Sequence, residues 1–185
     1  MPHRVCPWWL GYFLISPLRR IGQQPRNILL PYVDDGHTVL EPGAGMGFFT
    51  LELARLVGPS GRVIALDVQP KMLKALKRRA RKAGLLDRID ARLVAPNSLG
   101  VRDLSRSVDF TLAFAVVHEL PDASLFFHEA AMASKPGGLL LLAEPKGHVK
   151  ETDFANELQA ASQAGFELQS HPTIKRCYTA VFGKK

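Results

Sequence analysis

From His37 onward, short apolar strand-like runs alternate with segments of helical spacing, and this alternation constrains the fold more than any other feature. His37–Leu40 (HTVL), Arg62–Leu66 (RVIAL), Ile89–Val94, Val108–Ala115 (VDFTLAFA) and Leu139–Ala143 (LLLLA) have strand character. Between and after them, 48–57, 70–83, a stretch from Pro121 or Asp122 to Ser134, and 152–164 place apolar residues at helical intervals. Val108–Ala115 is apolar apart from Asp109 and Thr111, and Leu139–Ala143 is apolar throughout, as expected of strands covered on both faces. Phe166–Ser170 and Lys175–Phe182 then follow with only a short link through His171-Pro172-Thr173, so they are expected to pair antiparallel. The succession predicts an α/β fold: a mostly parallel sheet with helices on both faces and an antiparallel terminal strand pair.

The punctuation agrees. Gly58-Pro59-Ser60-Gly61 is a turn, and Pro70 suits a first helical position, where a missing N–H costs nothing. Gly84 and Gly165 end helices, and Lys135-Pro136-Gly137-Gly138 is expected to break the chain before the fifth strand. The last helix is expected to be capped by Glu151 or Thr152. A length of 185 residues suits one ordinary domain, and 46 % apolar with 22 % charged residues excludes a disordered chain. Two cysteines, Cys6 and Cys177, cannot form a disulfide framework, which favours a reducing, cytoplasmic setting.

Residues 1–30 look like an appendage to a domain spanning 31–185. Within it, VCPWWLGYFLI (5–15) is too short to span a bilayer and is followed by Arg19 and Arg20, so neither a transmembrane segment nor a signal peptide is expected. Trp8, Trp9, Tyr12 and Phe13 need something to bury against: the domain, an acceptor molecule, a second copy in a homodimer or a peripheral membrane surface. Only about twenty residues separate the fifth strand from the final pair, so any lid falls to residues 1–30. On that reading, deleting residues 1–15 abolishes activity and leaves a folded domain.

The net charge of +7 is local. KMLKALKRRARK (71–82) carries seven basic residues, and without them the remainder is neutral. This run is either the solvated face of a helix whose Met72, Leu73, Leu76 and Ala80 face the core, or a patch for nucleic acid or another acidic partner.

In an open α/β sheet, ligands bind beyond the carboxyl ends of the strands. The first strand ends in Glu41-Pro42-Gly43-Ala44-Gly45-Met46-Gly47-Phe48. The glycine spacing is GxGxG, and Phe48 occupies the position where a nicotinamide fingerprint needs its third glycine. Glu41 would repel a pyrophosphate and suits a cationic ligand. The second strand ends in Asp67, a carboxylate able to accept both hydroxyls of a ribose.

VLEPGAGMGFFT followed by IALDVQPKML resembles the first two motifs of the class I S-adenosylmethionine (SAM)-dependent methyltransferases. The resemblance continues through Val108-Asp109-Phe110, Val117-His118-Glu119-Leu120-Pro121-Asp122 and the Leu-rich 139–142, and covers about residues 35–182. It is strongest toward the branch with small-molecule and quinone-type enzymes. It implies a Rossmann-like seven-stranded sheet whose last strand is antiparallel between two others. It also implies that Gly43, Ala44, Gly45 and Gly47 line the methionine half of SAM, with Glu41 holding its ammonium group or the loop itself. Asp67 would then bind the ribose and Val68 pack on the adenine. Asn97, beside Ser98, would stand where the family often has an acid that accepts from the adenine amino group. Phe114 and Ala115 would sit beside the methionine part.

Past the strand ends, His118 and Glu119 are candidate catalytic residues, with His118 as a general base or, alternatively, a structural loop residue. Glu144 and His148 join the four N-terminal aromatics as candidate substrate contacts. The Asn/Asp-Pro-Pro-Tyr signature of amino-methylating nucleic-acid enzymes is absent after the fourth strand, and no metal site is expected. The leading reading is methyl transfer from SAM to a small apolar or planar acceptor. The alternatives are an RNA or protein methyltransferase using the basic helix, and a non-catalytic SAM-binding module.

Overall fold

The computed structural model describes residues 24–185. The lid reading for Trp8, Trp9, Tyr12 and Phe13 lies outside the described residues, as does Cys6. The strands are β1 (Thr38–Pro42), β2 (Arg62–Asp67), β3 (Ile89–Leu93), β4 (Val108–Phe114), β5 (Ser134–Pro145), β6 (Phe166–Ser170) and β7 (Cys177–Lys184). The helices are α1 (Pro25–Leu29), α2 (Thr50–Leu56), α3 (Pro70–Lys82), α4 (Ala123–Ala133) and α5 (Glu151–Gln163). The sheet order is β3-β2-β1-β4-β5-β7-β6. β1–β2, β2–β3 and β4–β5 pair parallel, while β7 pairs antiparallel with both β5 and β6. This is the expected sheet, with the last strand in sequence inserted between two others.

The described chain divides into two compact units, one ending at Val94 and the other beginning at Ala95. In the first, Val39 and Leu40 of β1 and Val63–Leu66 of β2 are buried on both faces. Leu53 and Ala54 of α2 and Leu76 and Ala80 of α3 bury apolar faces in the same unit. In the second, Phe110, Leu112 and Ala113 of β4, Leu140–Ala143 of β5 and Ala180–Phe182 of β7 are buried. Phe126 and Phe127 of α4 and Phe154 and Ala161 of α5 complete that core.

Three local expectations are corrected. Lys135-Pro136-Gly137-Gly138 does not precede β5; the strand runs through it. Val108 pairs with Ser134 and Phe110 with Leu139, so β5 carries extra residues opposite β4 in a bulge, and Gly137 takes φ +79° there. α2 begins at Thr50 rather than Phe48, because Gly45 and Gly47 hold the loop in left-handed conformations up to that point. α5 has Lys150 at its N-cap with no side-chain cap, so neither Glu151 nor Thr152 caps it; both lie inside the first turn. Asp122 does cap α4, its Oδ1 accepting from the Leu125 amide at 3.0 Å.

Candidate active site

In the first unit, β1 and β2 end side by side, with Glu41 in register with Ala65. The chain leaves β1 through the glycine loop, whose Ala44 amide donates to the Leu66 carbonyl at 3.0 Å. Asp67 ties the loop to the end of β2. Its Oδ2 accepts from the Gly45 amide at 2.9 Å and its Oδ1 from the Gln69 amide at 2.8 Å. Gly45 sits at φ +55°, which aims that amide at Asp67. Burial pushes the Asp67 carboxyl above its ordinary range, and the amides of Gln69, Gly45 and Val68 pull it back. An ionised carboxylate has about four acceptor sites, so one amide on each oxygen leaves capacity for two hydroxyls.

Glu41 is 4 % exposed, and its Oε2 has no hydrogen-bond partner among the described residues. Burial raises the Glu41 pKa to about 8, with the Asp67 charge adding to the rise and Thr50 offsetting part of it. A buried acid with an unsatisfied oxygen beside a glycine loop suits a cationic group and opposes a phosphate. The loop is also held from α3. A Cβ on Gly47 (φ +83°) would stand 2.4 Å from Leu76 Cδ1, and Arg79 donates from Nη1 to the Met46 carbonyl. Val68 is half-buried just past β2.

In the second unit, Asn97 is exposed on the loop after β3, and Ser98 is bound to α4. The Ser98 hydroxyl donates to Glu129 Oε1 at 2.9 Å, and the Leu99 amide donates to Glu129 Oε2 at 2.5 Å. Phe114 ends β4, and Ala115 turns the chain at φ +55°, its amide donating to the Ala143 carbonyl at 2.8 Å. A left-handed alanine is strained, and strain at a strand end is a common mark of a functional turn.

Beyond that turn, His118 lies on a short 3-10 turn, Val117–Glu119, and its Nδ1 is 2.5 Å from Glu144 Oε2. Glu144, on β5, is fully buried, and its Oε1 accepts from the amides of Val116 (3.2 Å) and Val117 (2.8 Å). Burial works against a charge on His118. The hydrogen bond and charge of Glu144, reinforced by Glu119 and Glu157, outweigh burial and hold its pKa above the ordinary histidine value. The His148 ring lies edge-on to His118 with centroids 5.8 Å apart. Glu157 of α5 is 6 % exposed and its Oε2 has no partner among the described residues. Burial first, then the charges of Glu144 and Asp153, raise its pKa to about 8 against the opposing effect of His118. Among the described residues no group of three or more His, Cys, Asp or Glu is arranged to hold a metal ion.

The structure thus gathers Glu41, the glycine loop and Asp67 in one unit, and His118, Glu144 and His148 in the other; Glu119 joins the second group through its charge. Sequence reasoning missed Glu157, Arg79 and Glu129. Glu157 had a usable signal: it lies three residues after Phe154 and three before Ala160, on the apolar stripe of its helix.

Comparison with known proteins gives this arrangement its family. The sequence model of a methyltransferase-domain family matches residues 33–181. A ubiquinone biosynthesis O-methyltransferase of Methylocella silvestris is 30 % identical over 155 residues, covering 83 % of this chain and 58 % of that protein. A ubiquinone/menaquinone biosynthesis C-methyltransferase of Pasteurella multocida is 30 % identical over 112 residues, covering 60 % of this chain and 41 % of that protein. This chain therefore spans about half the length of these curated relatives. A crystal structure of a SAM-dependent methyltransferase from Aquifex aeolicus superposes with a TM-score of 0.85 at 23 % identity, covering 98 % of this chain and all of the other. The chain belongs to the class I SAM-dependent methyltransferases. Among the described residues no helix is long and apolar enough to cross a membrane.

Proposed function

We propose that this chain transfers the methyl group of SAM to a small, planar or apolar acceptor. The observation that carries the reading is the first-unit cradle: a glycine loop whose Gly45 amide is fixed on Asp67, above a buried Glu41 with an unsatisfied oxygen. Glu41 and the loop would hold the charged methionine end, Asp67 the ribose and Val68 the adenine face. When bound, SAM supplies a methyl carbon on a positively charged sulfur, which departs as a neutral thioether. The chain's own task is alignment, which can supply much of the rate in such a displacement. The relatives named for O- and C-methyl transfer in quinone biosynthesis support a small planar acceptor for this chain.

Calorimetric titration of the full chain with SAM, S-adenosylhomocysteine and NADH, beside Asp67→Ala, tests the reading. Binding of the first two in the micromolar range, absent for NADH and lost in the variant, is the expected result. No binding of either sulfur compound would leave a non-catalytic module, or no cofactor role at all.

A second reading rests on α3. Lys71, Lys74, Lys77, Arg78, Arg81 and Lys82 are exposed, and at ~100° per residue they fall within about 140° of the helix circumference. An RNA acceptor would use this face. Its contacts would make binding fall steeply with salt, whereas a small neutral acceptor would show little salt dependence.

A further inference from the structure

Glu144 has no assigned work in the cofactor cradle, yet both of its oxygens are engaged. It is fully buried, both amides of the turn after β4 donate to its Oε1, and its Oε2 is left to a single partner, His118 Nδ1. Two backbone N–H groups occupy Oε1, so Oε2 is the atom left to meet the imidazole. The hydrogen bond to Glu144 raises the His118 pKa, so Glu144 Oε2 accepts and Nδ1 of His118 is the protonated nitrogen. In the neutral ring this leaves the lone pair on Nε2, which has no hydrogen-bond partner among the described residues, on a side chain 18 % exposed. The ring is therefore held in one tautomer with its basic nitrogen free.

The other groups around it keep that charge pattern. Glu119 lies on the same 3-10 turn, His148 follows β5 and packs edge-on against the ring, and Glu157 and Asp153 approach from α5. Glu157, 6 % exposed with an unsatisfied Oε2, is buried too deeply to add a second negative charge cheaply beside Glu144. Burial thus keeps Glu157 largely neutral beside the pair, and His118 keeps one ring nitrogen free.

We propose that the Glu144–His118 pair is the proton acceptor for an acceptor molecule bearing an ionisable hydroxyl, with His118 Nε2 taking the proton and Glu144 acting as the positioning residue. This rests on the methyl-transfer reading above and narrows its substrate class to phenol- or enol-type hydroxyls. The O–H bond breaks, its electron pair stays on the acceptor, and the proton forms the new N–H bond at Nε2. That electron pair forms the bond to the methyl carbon, and the carbon–sulfur pair returns to sulfur. The imidazolium stays hydrogen-bonded to Glu144 Oε2 and loses its Nε2 proton to water before the next turnover.

Nitrogen-15 NMR of the histidine rings in the full chain, between pH 5 and 9, tests the pair without needing turnover. Neutral His118 is expected as the Nδ1–H tautomer, titrating above the ordinary histidine value. Glu144→Gln should lower that titration and release the ring to a tautomer mixture. Glu157→Gln, which copies a neutral acid, should leave the tautomer in place. 4-Nitrocatechol, whose absorbance reports its own ionisation, then tests the substrate class. In the presence of S-adenosylhomocysteine it should bind as its anion below the pH at which it ionises free in solution, and His118→Ala should abolish that shift. A neutral His118 protonated on Nε2, or a titration that ignores Glu144→Gln, overturns the pair. Absence of catechol binding, or binding with no shift in its ionisation, overturns the hydroxyl acceptor. Failure of SAM and S-adenosylhomocysteine to bind in calorimetry sinks the methyl-transfer reading and leaves the NMR result standing by itself.

Discussion

At the scale of single residues, Glu41 and Asp67 are set apart by environment. Asp67 accepts from the amides of Gly45 and Gln69, whereas Glu41 is buried with one oxygen unsatisfied, so the two neighbouring acids differ in how readily they ionise. With a pKa of about 8, Glu41 is largely protonated at neutral pH in the free protein. A cation placed beside it favours the ionised form, so binding should expel a proton. We expect SAM affinity to rise as pH climbs from 6 toward 8, and binding heats to vary with the ionisation enthalpy of the buffer. Glu41→Gln should bind SAM more weakly and without proton release. Equal heats in phosphate and Tris for the wild type would show that Glu41 does not face the cationic end. Asp67 was legible in the sequence because an acid at the end of a second strand has a recognisable place. The state of Glu41 was not, because it depends on the burial that packing imposes on it.

At the scale of elements, α3 shows how one segment can carry two roles. Its charge run reads as a solvated face, and six of its seven cations are indeed exposed. The seventh, Arg79, is half-buried and donates to the Met46 carbonyl, so the helix braces the glycine loop. Nothing in a run such as KRRARK distinguishes the bracing arginine from its neighbours; the distinction arises only when helix and loop pack. Gly47 is the other brace. Alanine there meets the fully buried Leu76 and keeps a left-handed φ, so Gly47→Ala should cost roughly 1–3 kcal/mol. Thermal unfolding should detect that loss, and SAM affinity should fall with it as the loop shifts. Adding Leu76→Ala should restore part of the affinity, because it frees the space, although it costs stability of its own. Unchanged affinity in Gly47→Ala would separate the loop from cofactor binding. β5 shows the reverse failure of sequence reading. Lys135-Pro136-Gly137-Gly138 looks like a break, but the bulge opposite β4 absorbs the extra residues and Gly137 supplies the backbone freedom.

At the scale of the molecule, the sheet order was legible through the family resemblance and the strand succession through periodicity alone. Side-chain clusters formed by residues far apart in sequence were legible only in part. His118 and Glu144 were each placed at strand ends, but their pairing required β4 and β5 to lie side by side, and Glu157 required α5 to turn its buried stripe toward them.

These buried groups have a collective consequence for stability. Glu41 and Glu157 both have pKa values raised to about 8 in the folded chain, and Asp67 and His118 are raised as well. In the unfolded chain carboxyl groups release their protons near pH 4. Between those limits the folded state binds more protons than the unfolded one, so stability falls as pH rises. The contribution of the two glutamates is fully present below about pH 4 and is lost as pH passes about 8. Moving a carboxyl's titration by one pH unit on folding is worth ~1.4 kcal/mol, so Glu41 alone amounts to a few kcal/mol on the order-of-magnitude scale. His118 contributes with the same sign, from its ordinary value up to its raised one. Urea unfolding without ligand should therefore show stability declining from pH 5 to pH 8. The double variant Glu41→Gln, Glu157→Gln should show a flatter profile and exceed the wild type at pH 8, since neither amide has a charge to desolvate. Saturating S-adenosylhomocysteine should recover stability most strongly at pH 8, where Glu41 ionises to meet its cation. A wild-type profile that is flat across this range, with the double variant parallel to it, would mean that the two acids reach water or a partner and are not held neutral by the fold.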